Sequence, residues 1–256
     1  MTAGALALAG CAGSGAQNPS AAPPSHSRPT AFVVQSPSTT GVRKATAMTK
    51  QIARSEDGRP IYVVRVGNPS GPRVLVFGCI HGNEPAGIAI AHALRRVRTR
   101  DDVWIVADLN PDGVAHHTRQ DARGVDLNAN WSSEWRGGGR PWDVYYAGPH
   151  PFSERETRAA RDLIERIRPR VTIWYHQHMD VVWAFGPSTA AGRTYARLSG
   201  MRLYHHHWLP GTATNWQNHY LPGTAALTVE LPAGSLSVSQ VKRHVGAVLR
   251  LAQLLS

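Results

Sequence analysis

Beyond residue 60, short apolar runs alternate along the chain with segments of helical periodicity. The apolar runs predict strands over residues 61–66, 73–77, 103–106, 171–175 and 226–231. Segments with one apolar face predict helices over residues 85–95, 153–167, 189–199 and 239–254. Ser153 followed by Glu156 is a capping-box pattern for the second of these helices.

This alternation of strands and helices defines the expected fold class. Strands that are apolar throughout are typical of sheets covered on both faces. We therefore predict an α/β fold with a mixed, largely parallel central sheet flanked by helices on both faces. In such sheets, functional sites form at the carboxyl ends of the strands.

The length and composition indicate one sizeable globular domain. The chain has 256 residues, of which 42% are hydrophobic and 18% are charged. Residues 12–47 are rich in Ser, Pro, Ala, Gly and Thr and lack the apolar groups that could offset ordering entropy. We predict a flexible tether there and assign residues 48–256 to a single folded domain.

The first 11 residues resemble an export signal. They are small and apolar and end in Leu-Ala-Gly-Cys, similar to the lipobox in which Cys11 becomes a lipidated N-terminus. The run is too short to span a bilayer, and no basic residue precedes it. We favour a truncated lipoprotein signal and an exported cell-envelope protein that touches the membrane only through Cys11; otherwise the resemblance is accidental and the protein is cytoplasmic.

The formal net charge of +11 is compatible with anionic surroundings such as phospholipid, wall polymers or nucleic acid. No basic run is interleaved with aromatic residues as in a nucleic-acid platform, so we do not expect a nucleic-acid partner. We expect a monomer. Cys79, within an apolar run, is expected to be a buried free thiol.

A histidine and a glutamate follow the strand predicted at residues 73–77. His81 and Glu84 stand three apart where the next helix begins, and together they could ligate one zinc ion. With 13 histidines in the chain, such a pair also arises by chance. A third ligand is therefore required from another strand end, and both His176 and His178 are candidates.

Glu230 lies inside the otherwise apolar strand predicted at residues 226–231. A buried carboxylate needs a partner, which could be an arginine. It could also be a general base beside an activated water. The turn-rich segment 110–131 adds amide side chains that hold polar groups in place, and Arg119, which could stabilise an oxyanion or bind a carboxylate.

In their order along the chain, these motifs resemble the zinc metallocarboxypeptidase family, and in particular its bacterial murein peptide amidase branch. The resemblance covers residues 74–234 and includes His-Gly-Asn-Glu at 81–84, Asn-Pro-Asp-Gly at 110–113, Gly-Val-Asp-Leu-Asn at 124–128, Trp-Tyr-His at 174–176 and Val-Glu-Leu at 229–231.

The resemblance implies one zinc ion per chain on His81, Glu84 and His176, with Glu230 as general base and acid. It also implies that Arg119 polarises the scissile carbonyl and that Asn128 helps to bind the terminal carboxylate of a peptide or murein-peptide substrate. Alternatives are an N-acyl amino acid deacylase of the aspartoacylase-like type and a catalytically impaired zinc- or wall-binding module.

Residue 129 departs from the family pattern. The family usually has Asn-Arg-Asn where this chain has Asn128-Ala129-Asn130. The arginine expected to receive the substrate carboxylate is therefore missing. Arg123, Arg136 and Arg140 in nearby loops are candidates to replace it.

Overall fold

The computed structural model describes residues 47–254. Within this range it contains eight strands: Met48–Arg54 (β1), Pro60–Gly67 (β2), Arg73–Phe77 (β3), Asp102–Val106 (β4), Val171–Gln177 (β5), Val181–Trp183 (β6), Arg202–Tyr204 (β7) and Ala225–Leu231 (β8). The same range contains six α-helices: Ala86–Leu94 (α1), Pro111–His116 (α2), Arg155–Ile167 (α3), Thr189–Ser199 (α4), Ala213–Tyr220 (α5) and Val238–Leu254 (α6). A 3-10 turn, Gly186–Ser188, precedes α4.

All eight strands form one mixed sheet in the order β1-β2-β4-β3-β5-β8-β6-β7. The four central strands, β4, β3, β5 and β8, are parallel to one another. At one edge β2 runs antiparallel to β4 and to β1, and at the other β6 runs antiparallel to β8. The predicted mixed, largely parallel α/β fold is confirmed.

Each face of the sheet is covered by helices. In β3, Val74 and Val76 project into one apolar core and Leu75 and Phe77 into the other, as the alternation of side chains along a strand requires. The first core packs against α1, α4 and α6, and the second against α3 and α5. The buried face of α3 is supplied mainly by Ala160, Leu163, Ile164 and Ile167.

All five predicted strands and four predicted helices are present, with bounds that differ by at most two residues. The prediction did not include β1, β6, β7, α2 and α5. Strand β1 is an exposed edge strand, and its sequence, MTKQIAR, has no apolar alternation. Helix α5 contains several polar residues that are buried by tertiary contacts, which apolar periodicity cannot anticipate.

The capping box predicted at Ser153 and Glu156 is wrong. Glu154 occupies the N-cap position of α3, and no side chain caps the helix there. The Ser153 hydroxyl instead donates to the Glu154 carboxylate at 2.6 Å, and Glu156 accepts from the backbone N–H of Glu56 at 3.3 Å. Both side chains are therefore used in tertiary contacts.

The predicted signal, with Cys11, and the predicted tether lie outside the described residues, except for Ala47 at the tether boundary. Cys79 is a buried free thiol, as expected. Between residues 47 and 254 there is no helix with the length and apolarity needed to cross a membrane.

Candidate active site

His81 and Glu84 lie in the loop between β3 and α1. The backbone N–H of Glu84 donates to the His81 carbonyl, which closes a turn and brings the two side chains to one side. The loop is pressed against the start of α2, because a Cβ on Gly82 would lie only 1.8 Å from the Gly113 carbonyl carbon. Glycine at position 82 is therefore a steric requirement for this placement.

His176, on the adjacent parallel strand β5, completes a group of three ligand atoms. Its Nδ1 lies 3.2 Å from Nδ1 of His81 and 3.0 Å from Oε2 of Glu84. The His81 Nδ1 to Glu84 Oε2 distance is also 3.0 Å. A tetrahedral zinc ion holds its nitrogen and oxygen ligands roughly 3.3 Å apart, so this donor set fits a metal ion of that kind.

The competing histidine, His178, does not join the group. Among the described residues, the ligand atoms that converge on this point come from His81, Glu84 and His176. His178 lies beyond the end of β5 and lines the cavity at its exposed side. The structure thus places His176, and not His178, in the position predicted for the third ligand.

The electrostatics of the three-residue group favour a cation. Burial by itself would lower the pKa of His81, but the carboxylates of Asp126 and Glu84 raise it to about 9. Burial would likewise raise the pKa of Glu84, but its attraction to His81 and its hydrogen bond with His176 hold that pKa well below its ordinary value. A proton or a metal ion between these groups is favoured, and the two compete for the His81 nitrogen.

Asp126 was not assigned a role from the sequence, yet it supports this group directly. Its Oδ1 lies 3.0 Å from Nε2 of His81, which fixes the ring so that Nδ1 points at the other ligands. Its Oδ2 accepts from Arg119 at 3.1 Å. A carboxylate in the otherwise uncharged Gly-Val-Asp-Leu-Asn stretch, next to buried apolar residues, was the available signal.

Arg119 is held between two carboxylates at the rim of the site. Nη1 donates to Glu84 at 2.9 Å, and Nε and Nη2 contact Asp126 at 3.1 and 3.0 Å. Its side chain keeps 24% of its surface exposed and lines the cavity in front of the ligand group. The guanidinium therefore has a fixed orientation and retains a free edge.

Glu230 lies beside His176 because strands β5 and β8 are parallel and these two residues are direct partners in the register. Paired residues on neighbouring strands, about 4.8 Å apart, project their side chains to the same face of the sheet. Glu230 lines the cavity, and its Oε2 is buried without a hydrogen-bond partner among residues 47–254. A buried unpaired carboxylate oxygen is costly in a purely structural position.

Two adjoining cavities open in front of these residues. The first, of about 260 Å³, contains the three-residue group, Arg119 and Glu230. The second, of about 430 Å³, shares with it Arg119, Asn128, Tyr145, Leu209 and Thr212. All six residues predicted for the site, His81, Glu84, Arg119, Asn128, His176 and Glu230, therefore lie around one continuous depression.

Asn128 faces both cavities, and Ala129 lines the second. The side-chain Oδ1 of Asn128 accepts from the backbone N–H of Ala213 at 3.1 Å, which leaves the side-chain NH2 group available to the cavities. The next residue, Asn130, is fully buried and bonds Ala147, Ser153 and Thr157 instead. The two asparagines that flank Ala129 thus have different environments.

The outer wall of the first cavity is aromatic, a feature that the sequence analysis did not predict. Trp183 and Trp208 stack with ring centroids 5.7 Å apart, and both line the cavity beside Met179. Tyr145 covers Arg119 with a distance of 5.5 Å from ring centroid to guanidinium carbon. These residues come from four separate loops and strands, so spacing along the chain gave no signal.

A second group of buried acids, Asp121, Glu154 and Glu156, lies outside both cavities. Burial and the neighbouring carboxylates raise the pKa of Asp121 to about 8. The same causes, with burial again the largest, raise the pKa of Glu156 to about 7. Arg123 approaches this group through a 3.6 Å contact with Glu154 and does not line the second cavity.

Comparison with known proteins agrees with the fold. The model of the zinc carboxypeptidase family matches residues 43–218, which is more than half of the chain. The chain therefore belongs to the zinc carboxypeptidase family.

Individual relatives include both carboxypeptidases and a murein amidase. The chain is 26% identical over 163 residues to carboxypeptidase B of Astacus astacus, covering 52% of this chain and 54% of that protein. It is 30% identical over 141 residues to murein peptide amidase A of Escherichia coli K12, covering 50% and 58%. The matched region thus spans little more than half the length of these relatives.

Among solved structures, the murein-tripeptide amidase of Escherichia coli O157 superposes with a TM-score of 0.64 at 25% identity. The match covers 81% of this chain and 91% of the amidase. The carboxypeptidase A of Helicoverpa armigera gives a TM-score of 0.68 at 18% identity, with 82% and 68% covered. The latter likeness concerns the fold alone.

Proposed function

We propose that this protein is a zinc-dependent hydrolase that cleaves a peptide or amide bond in cell-wall (murein) peptides. The observation that carries the proposal is the convergence of two imidazole nitrogens and one carboxylate oxygen within 3.0–3.2 Å, with an unpaired Glu230 carboxylate beside them. Three protein ligands with an accessible cavity are typical of a catalytic zinc site.

In this proposal His81, Glu84 and His176 hold one zinc ion per chain. When bound, zinc acts as a Lewis acid that polarises the scissile carbonyl and makes water an effective nucleophile near neutral pH. Glu230 accepts one proton from the attacking water and delivers it to the leaving amine nitrogen, so that the C–N bond breaks and a carboxylic acid and an amine are released, which ionise to carboxylate and ammonium by transfer of the second proton.

Arg119 stabilises the negative charge that develops on the carbonyl oxygen of the scissile bond. Its contacts with Glu84 and Asp126 orient the guanidinium before the substrate arrives, so little reorganisation is needed during the reaction. Asn128, with its free amide group, is placed to donate to the part of the substrate that follows the scissile bond.

Murein peptide is the favoured substrate class for two reasons. The relatives include murein peptide amidase A, and the solved murein-tripeptide amidase is matched over 91% of its chain. In addition, we infer that Cys11 is lipidated, which would hold the protein at the cell envelope, where such peptides are found.

The test is hydrolysis by the purified, zinc-loaded protein of murein tripeptide, simple carboxypeptidase substrates and N-acyl amino acids. We expect murein tripeptide to be cleaved, and we expect Glu230→Gln to lose roughly 100- to 10,000-fold in rate while keeping its zinc. Zinc content measured by atomic absorption is the control, because Gln preserves the shape of the side chain.

Other results of the hydrolysis assays would contradict the mechanism or favour one of the alternative functions. Full activity of Glu230→Gln would contradict the proposed mechanism. Cleavage of N-acyl amino acids alone would favour the deacylase, and zinc binding without any hydrolysis would favour a silent binding module.

A further inference from the structure

The second cavity contains a positive charge that no carboxylate among residues 47–254 neutralises. Three charged side chains line it: Arg119, Asp126 and Arg136. Arg119 and Asp126 are paired with each other, with Glu84 and with His81. Arg136 has no hydrogen bond or ion pair with any residue of the described chain, so the cavity has one free guanidinium.

The position of Arg136 is fixed by the residues that precede it. The backbone of Trp131 and of Ser133 is hydrogen-bonded to Gly211, and the Trp135 indole donates to the Ala147 carbonyl at 3.1 Å. Glu134 accepts from Asn215 at 2.8 Å. An exposed arginine at the end of such an anchored segment stays at the cavity mouth even though its own side chain is unpaired.

The shape and lining of the second cavity indicate what it receives. It adjoins the first cavity through Arg119 and Asn128. A substrate peptide that crosses the three-residue group of His81, Glu84 and His176, called the zinc-ligand group below, therefore enters the second cavity directly. Besides the polar groups, its walls include Ala147, Leu209 and Pro210, which suit the aliphatic part of a side chain. Ala129 leaves room in the wall, because its side chain is only a methyl group.

From these observations we propose that the second cavity binds the leaving residue of the substrate and that Arg136 receives a free carboxylate there. This inference rests on the proposed peptide hydrolysis. A planar guanidinium can bind a carboxylate through two parallel hydrogen bonds, which gives both affinity and orientation. The carboxylate partner thus comes from the loop after Trp131 and not from residue 129.

The other two arginines considered from the sequence do not meet these conditions. Arg123 is directed to Glu154, with a 3.6 Å contact. Arg140 is exposed, does not line either cavity, and lies four residues from Arg136 in the same loop. Arg140→Ala is therefore a matched control, since it removes the same charge from the same loop.

The experiment compares two forms of one peptide, with a free terminal carboxylate and with a terminal amide, using the full chain loaded with zinc. Arg136→Ala should lower kcat/KM for the free acid by about tenfold to a hundredfold, the usual range for a hydrogen bond to a charged group, and leave the amide unchanged. Arg136→Lys should retain part of the preference, and Arg140→Ala all of it. Zinc content should be equal in all variants.

A binding measurement keeps the inference separate from the proposed function. In the Glu230→Gln background, calorimetry should show that Arg136→Ala weakens binding of the free-acid peptide but not of its amide. Equal effects on both peptides, in turnover and in binding, would overturn the role of Arg136. Intact discrimination in binding without hydrolysis by the parent protein would instead overturn the proposed function alone.

Discussion

At the scale of single residues, two of the three proposed zinc ligands, His81 and Glu84, have further contacts that fix their side chains, whereas Nε2 of His176 is buried without a hydrogen-bond partner among residues 47–254. Asp126 orients His81 through its Nε2, Arg119 binds the second oxygen of Glu84, and the backbone N–H of Gln177 donates to Glu84 at 3.2 Å. Such contacts hold ligands in place before the metal arrives, so less ordering entropy is lost on binding.

The two histidines at the end of β5 give a direct test of the ligand assignment. His176→Ala removes one of three converging donor atoms and should lower zinc affinity by a factor of about 100 or more, since breaking even an outer contact of a ligand costs 10- to 100-fold. His178→Ala should leave zinc content near that of the parent protein. Competition with a chromogenic chelator measures both, and the reverse order would show that His178 is the ligand.

At the scale of structural elements, the site is made where the carboxyl ends of β3, β5 and β8 meet the segment between β4 and α3. The loop after β3 and the strand β5 supply the proposed zinc ligands, β8 supplies Glu230, and the segment supplies Arg119, Asp126 and Asn128. Asn110 joins the two parts. Its amide donates to the carbonyls of Ile80 and Arg119 at 3.1 and 3.3 Å, and its oxygen caps α2 by accepting from Gly113.

Replacing Asn110 should therefore affect both stability and the site. Asn110→Ala removes a helix cap and leaves buried carbonyls unpaired, which should lower the free energy of unfolding by about 1–3 kcal/mol. It should also weaken zinc binding, because the His81 loop and Arg119 lose their common anchor. Denaturant unfolding and chelator competition measure the two effects.

Asn218 provides the matched control for this substitution. Its side chain makes comparable backbone contacts, to Thr214 and Ala226, but it joins α5 to β8 away from the zinc-ligand group. Asn218→Ala should lower stability without lowering zinc affinity. If both variants weakened zinc binding equally, the effect would reflect general destabilisation and not the anchor.

At the scale of the whole molecule, the buried acids Asp121 and Glu156 should make the free energy of unfolding depend on pH. The pKa of Asp121 is raised from 3.8 to about 8 and that of Glu156 from 4.5 to about 7. A carboxyl with a raised pKa in the folded state stabilises fully below its unfolded pKa, and that stabilisation is lost as the pH rises through the folded pKa. These two groups should therefore lower the free energy of unfolding progressively between about pH 4 and pH 8.

Asp121→Asn tests this expectation. The amide stays neutral at every pH, its oxygen can still accept from the backbone N–H of Val125, and its nitrogen can donate to a neighbouring carboxylate. The variant should be more stable than the parent at pH 8 by at least about 1 kcal/mol and should show a flatter pH profile. Asp162→Asn, at an exposed acid on α3, is the control, and identical profiles for Asp121→Asn and the parent would contradict the prediction.

Much of this architecture could be predicted because its determinants are local. The apolar runs of β2, β3, β4, β5 and β8 and the apolar faces of α3, α4 and α6 appear directly in the order of residues, since burial selects side chains with period two or 3.6. The zinc-ligand candidates could be recognised because strand ends in an α/β sheet converge. The peripheral strands β6 and β7 are three residues long, too short for a pattern to form.

The sequence by itself determined the α/β class, the central strands and the six residues named for the proposed chemistry. Only the tertiary structure showed that His176, which the family resemblance had favoured over His178, meets His81 and Glu84. It also placed Asp126 behind His81 and separated Arg136 from Arg123 and Arg140. The physical reason is that metal geometry and charge pairing depend on distances of about 3 Å between atoms that lie many residues apart. The spacing of apolar residues and the composition indicate which face of a strand or helix a residue occupies. They do not indicate which side chain from a distant part of the sequence it contacts.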